Sequence, residues 1–127
     1  MTTKHLTTEE FKKRVMNYDN NNGWNFLGER PAIIDFYAPW CSPCRRLAPI
    51  LDELAEEYNG QVDIYKVNVD QEAELSQYFN IRSIPSILFI PIGDSPKMTH
   101  GAMSKEGIKE LINQQLLSVQ PLSFQFY

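Results

Sequence analysis

The chain has 127 residues, 43% hydrophobic and 22% charged, with 12 Lys and Arg against 16 Asp and Glu for a net charge of −4. That size and balance fit one soluble globular domain and give nucleic acid no basic footprint; Lys12-Lys13-Arg14 lies beside Glu9 and Glu10 and reads as a solvated helix face. No apolar run approaches the roughly 18 residues of a membrane span, and the polar start Met1-Thr2-Thr3-Lys4-His5 lacks the apolar core of a signal peptide. The expectation is a cytoplasmic protein. A periplasmic or exported one whose signal segment had been removed would read the same way.

Leu6-Thr7-Thr8-Glu9-Glu10-Phe11 reads as a helix start, with Thr7 as cap, Glu10 closing a capping box and Leu6 stapling onto Phe11. The helix is expected to run to about Met16, and Asp19-Asn20-Asn21-Asn22-Gly23 to form a surface loop. Ala32–Tyr37 is a buried strand. From Arg45 to Tyr58 a helix carries Leu47, Ile50, Leu51, Leu54, Ala55 and Tyr58 as one apolar stripe, with Pro49 inside it as a kink. Val62–Val69 is a second strand, Glu72–Phe79 a short helix and Ser86–Ile90 a third strand. After the turn Gly93-Asp94-Ser95-Pro96, Lys97–His100 returns as an antiparallel edge strand, and Ser104 opens a last helix bearing Ile108, Leu111, Ile112 and Leu116. Strands alternating with helices, then a strand pair, imply an α/β fold whose central mixed sheet has helices on both faces. Residues 1–117 form this domain; 118–127, with Phe124, Phe126 and Tyr127, read as a mobile tail.

The only two cysteines, Cys41 and Cys44, stand two residues apart where a strand feeds a helix N-terminus. The helix dipole and free N–H groups there stabilise a thiolate on the first cysteine, and the spacing brings the second within bonding range. Cys41 is thus the expected nucleophile and Cys44, one turn further in, the resolving thiol. Three alternatives stand beside this reading. A zinc site needs about four ligands, and only His5 and His100 could join the pair. Two inert core cysteines fit poorly beside Trp40 and Pro43. A purely structural bridge closing so small a loop restrains little of the unfolded chain.

Asp35-Phe36-Tyr37-Ala38-Pro39-Trp40-Cys41-Ser42-Pro43-Cys44-Arg45 and Ala48-Pro49-Ile50-Leu51 resemble the active-site region of the thioredoxin family. The resemblance continues at Lys66, Asn68-Val69-Asp70, Ile81-Arg82-Ser83-Ile84-Pro85 and the Gly101-Ala102 turn, and covers about Leu6 to Leu117. Departures are Ser42, where the family usually has glycine, a longer segment around Asn20–Gly28, and the tail. The resemblance implies that Asp35 is a buried carboxylate accepting the proton of Cys44, with Lys66 its partner. An acid among Ile33, Ile34 and Phe36 is unusual in any case, and desolvation should raise its pKa. The resemblance also makes Pro85 a cis-proline and lets the Ile84 backbone pair with an extended substrate. Trp40, Ser42, Pro43 and Gly101 complete that substrate-facing surface.

The function this implies is a protein-disulfide reductase, monomeric, acting on disulfide-containing proteins and recharged by an NADPH-dependent thioredoxin reductase. The chain shows no Gly-rich dinucleotide motif, so no bound cofactor is expected. Ser42-Pro43 puts no cation between the cysteines, which favours a potential near about −270 mV over an oxidase's roughly −120 mV. The rivals are an exported oxidase, isomerase or cytochrome-maturation reductant on the same fold, and a binding module whose thiols are incidental.

Overall fold

The computed structural model describes residues 3–20 and 23–117; the expected tail, 118–127, lies outside the described residues. Five strands, β1 (Lys4–His5), β2 (Ala32–Tyr37), β3 (Asp63–Asn68), β4 (Ser86–Ile90) and β5 (Lys97–His100), are joined by helices α1 (Thr8–Arg14), α2 (Ser42–Glu57), α3 (Ala73–Tyr78) and α4 (Lys105–Leu111). The sheet order is β1-β3-β2-β4-β5. β1, β3 and β2 run parallel, while β4 is antiparallel to β2 and β5 to β4.

Alternation along β2 sorts its side chains between two cores. Ile33 joins Ile64, Ile87 and Phe89 beneath Leu47, Leu51 and Leu54 of α2 and Ile108 of α4. Ile34 and Phe36 join Val67, Leu88 and Ile90 against Phe11 of α1 and Leu75 of α3. Each fully buried aliphatic or aromatic side chain here contributes about 1.5–3 kcal/mol. Asp35 falls on the α2 side by the same alternation, among apolar neighbours.

β3 and α3 are each one residue shorter at both ends than the sequence expectation, and other boundaries differ more. α1 ends at Arg14 with Val15 as its C-cap, so Met16 is buried beyond the helix. α2 starts at Ser42, not Arg45, and continues through Pro49 as one element. Pro43 sits in its first turn, where a missing N–H removes no helical bond. The last helix ends in a π-type turn, Ile112–Leu116, that keeps Ile112 and Leu116 buried. β1 has no counterpart in the sequence reading.

The capping box at α1 is formed. Glu10 N–H donates to Thr7 Oγ1 at 3.1 Å, and Thr7 N–H donates to Glu10 Oε1 at 3.0 Å. Thr7→Ala is therefore expected to lower stability by about 1 kcal/mol, seen as a Tm drop of roughly 5 °C in thermal denaturation. An unchanged Tm would show that the cap is idle.

Candidate active site

Ala38-Pro39-Trp40 carry the chain from the end of β2 to the start of α2. The turn closes through Cys41 N–H donating to Ala38 O at 3.2 Å. Cys41 is the N-cap of α2, and its sulfur accepts from the Cys44 N–H at 3.3 Å. Cys41 and Cys44 are joined as a disulfide with Cα atoms 5.2 Å apart. Cys41 is 5% exposed and Cys44 2%, in a small cluster with Ala38 against Tyr37, Val69 and Ile84. Free N–H groups at a helix start favour negative charge on the capping sulfur once the bridge opens.

Asp35, 2% exposed, is three residues before Ala38 in β2, on the face that α2 covers by the alternation described above. Burial pushes its pKa from 3.8 up to about 7, against the opposing pull of Lys66. Its Oδ1 is buried without a hydrogen-bond partner. Lys66 is directly across the ladder in β3 and is half-buried, not an exposed edge residue. Among the described residues it makes no ion pair; its ammonium stands 5.9 Å from the centre of the Tyr37 ring. Lys66 thus acts on Asp35 through space, not by direct contact. Tyr37 Oη is 3.5 Å from His5 Nδ1.

The Ile84-Pro85 peptide is cis. The Ile84 carbonyl oxygen is 3.9 Å from Cys41 Sγ, and the Ile84 N–H has no main-chain partner among the described residues. Gly101 N–H donates to Pro85 O at 2.8 Å, with Gly101 at φ +91°, a conformation open to glycine. Ser86 Oγ donates to Ser83 O at 2.7 Å and is 2.9 Å from His100 Nδ1, which fixes the loop from below. Trp40 is 68% exposed, so it is no core aromatic; its Nε1–H donates to Asp70 Oδ2 at 2.9 Å. Among the described residues no three His, Cys, Asp or Glu side chains gather as a metal site.

The family model for thioredoxin matches residues 2–114. The chain belongs to the thioredoxin family. It is 43% identical over 107 residues to a thioredoxin of Borreliella burgdorferi, covering 84% of this chain and 92% of that one. It is 38% identical over 112 residues to a thioredoxin of Haemophilus influenzae, covering 88% and 95%. Among solved structures, chloroplastic thioredoxin z superposes with a TM-score of 0.75 at 29% identity, over 90% of this chain and 94% of the other. The chain is a thiol–disulfide oxidoreductase, with disulfide-bearing proteins as substrates and a reductase-type partner.

Two features of this thioredoxin site escape sequence reasoning. Arg45 and Arg46 are exposed, yet each is tethered, to Pro39 O and Ser42 Oγ respectively, at 3.0 Å. His5 meets Tyr37 through β1, a two-residue strand too short to leave any periodicity.

Proposed function

We propose that the chain is a reductant of protein disulfides in which Cys41 attacks and Cys44 resolves. The observation that carries this reading is the placement of Cys41 as N-cap of α2, its sulfur turned to the helix amides, while Cys44 lies one turn inside. The Cys41 thiolate attacks one sulfur of the substrate; that S–S bond breaks, a Cys41–substrate bond forms and the other substrate sulfur leaves as a thiolate. Cys44 then gives up its proton, attacks Cys41 and releases the second substrate sulfur, so two electrons pass and the Cys41–Cys44 bridge remains. Asp35, held near a pKa of 7 by burial, is the acceptor for the Cys44 proton, and Lys66 tunes it.

Ile84 beside Cys41, with Pro85 and Gly101 holding the loop, offers free main-chain groups to an extended substrate. Trp40, Ser42 and Pro43 form the facing rim. The chain works as a monomer in the cytoplasm and is recharged by an NADPH-dependent thioredoxin reductase. Its potential lies near about −270 mV; a measured value above roughly −180 mV overturns the assignment as reductant.

Cys44→Ser is the direct test. It is expected to hold substrates on Cys41 as mixed disulfides identifiable by mass, with turnover abolished. Capture of nothing under conditions where the wild type turns over defeats the two-cysteine mechanism.

A further inference from the structure

Ser42, Arg45, Arg46 and Arg82 are parts of this rim that the exchange chemistry leaves unused. Arg45 Nη1 donates to the Pro39 carbonyl and Arg46 Nη1 to the Ser42 hydroxyl, each at 3.0 Å. These acceptors bracket Cys41 in sequence, and both are neutral, so the guanidinium charges are held in place without being cancelled. Four other cations do sit against carboxylates: Lys12 on Asp19 and Glu74 at 3.0 Å, Arg30 on Asp63, Lys105 on Glu53 and Lys109 on Glu57 at 3.1 Å. Among the described residues neither Arg45 nor Arg46 has a carboxylate within 4.0 Å. Arg82, two residues before Ile84, likewise donates to a neutral group, Asn80 Oδ1, at 3.2 Å. Asp70, held by Trp40, is the opposing charge on this rim. Arg45 and Arg46 follow Cys44 directly and Arg82 comes two residues before Ile84, so three guanidinium groups stand on the two segments that meet at the Cys41–Ile84 contact, on a chain whose net charge is −4.

We propose that Arg45, Arg46 and Arg82 select protein disulfides flanked by Asp or Glu, and that Ser42 is the positioning residue that holds Arg46 at the rim. This rests on the reductant reading above and names its substrate class. A segment lying along the Ile84 backbone passes between the loop that bears Arg82 and the start of α2 that bears the other two arginines. Carboxylates beside its cysteines meet fixed, uncancelled positive charge, which raises the rate of productive encounter. A glycine at position 42 has no acceptor for Arg46, so the serine links the departure in the motif to the charge of the rim.

The test uses the full chain, reduced beforehand, in single-turnover reactions with three peptides that share one disulfide but flank it with Glu, Gln or Lys. Reduction of the Glu peptide is expected to be about fivefold faster than that of the Gln peptide, with the Lys peptide slowest. High salt should bring the three rates together. Arg46→Gln should lower the Glu-to-Gln ratio, and the triple change of Arg45, Arg46 and Arg82 to Gln should abolish it. Ser42→Gly should lower the ratio and Ser42→Thr, which keeps a hydroxyl, should restore it. Equal rates for the Glu and Gln peptides overturn the selectivity, and an undiminished ratio in Ser42→Gly overturns the role of the serine. Failure of the wild type to reduce any of the three defeats the reductant reading itself.

Discussion

Asp35→Ala is expected to give a protein that is more stable and slower at the same time. Asp35 is buried, its Oδ1 lacks a hydrogen-bond partner, and its pKa stands at about 7 against 3.8 for a free side chain. Between these two values the folded protein keeps a proton that the unfolded chain has lost. Stability therefore falls as the pH rises through roughly 4 to 7, and the full penalty is present above that window. At about 1.36 kcal/mol per pKa unit the penalty is on the order of 4 kcal/mol. The small cavity left by alanine offsets roughly 1 kcal/mol of the relief. Denaturant titration of the oxidised protein at pH 8 should then show a gain of roughly 3 kcal/mol that shrinks as the pH falls and gives way to a small loss below about pH 4, where only the cavity remains. The same substitution removes the proton acceptor for Cys44. Decay of the mixed disulfide on Cys41 should slow by at least about tenfold at pH 7, and the inflection near pH 7 in the wild-type rate profile should vanish. A variant that is no more stable at pH 8, or that keeps the inflection, would place the titrating group elsewhere.

The parts of this site legible in sequence are those in which neighbours along the chain also cooperate in space. Cys41 and Cys44 share one helical turn, Thr7 and Glu10 share one capping box, and Asp35 betrays itself as an acid inside an apolar strand. Strands β2 and β4 fall where the residue pattern puts them, because five or six residues of nearly continuous apolar character suffice to mark a strand, while β5, Lys97–His100, is marked by the turn Gly93–Pro96 before it and not by its own residues. The start of α2 is harder to see, since Ser42 and Pro43 are poor helix formers that become acceptable only in a first turn. Contacts between distant segments leave no local trace at all. Thr8 donates to Glu72 across 64 residues, and Thr3 to Asp52 across 49, tying the N-terminal segment to α3 and α2. Arg46 shows a third case. It stands four residues after Ser42, but an exposed arginine has many rotamers, and only the folded geometry shows which acceptor it takes.

Phe36 is the neighbour of Asp35 and should respond in the opposite direction. It is fully buried on the face that α1 and α3 cover, with its ring 5.5 Å from that of Phe79, which in turn meets Phe11 edge-on at 5.5 Å. Phe36→Ala removes a ring from the centre of this aromatic group and leaves a cavity that the rigid sheet cannot close. The expected loss is about 3–5 kcal/mol, a large share of the roughly 5–15 kcal/mol that holds a domain of this size together. Thermal denaturation should show a Tm lower by roughly 15 °C or more. Because Phe36 points away from the α2 face, the loss should be the same at pH 5 and pH 8, and the inflection assigned to Asp35 should stay near 7 in the surviving folded fraction. Phe36→Leu, which keeps most of the buried volume, should lose far less and retain full reductase activity. A loss below about 1 kcal/mol in Phe36→Ala, or one that changes with pH, would mean that the two faces of β2 are not independent. In that case the sorting of Asp35 and Phe36 between two cores would need to be redrawn.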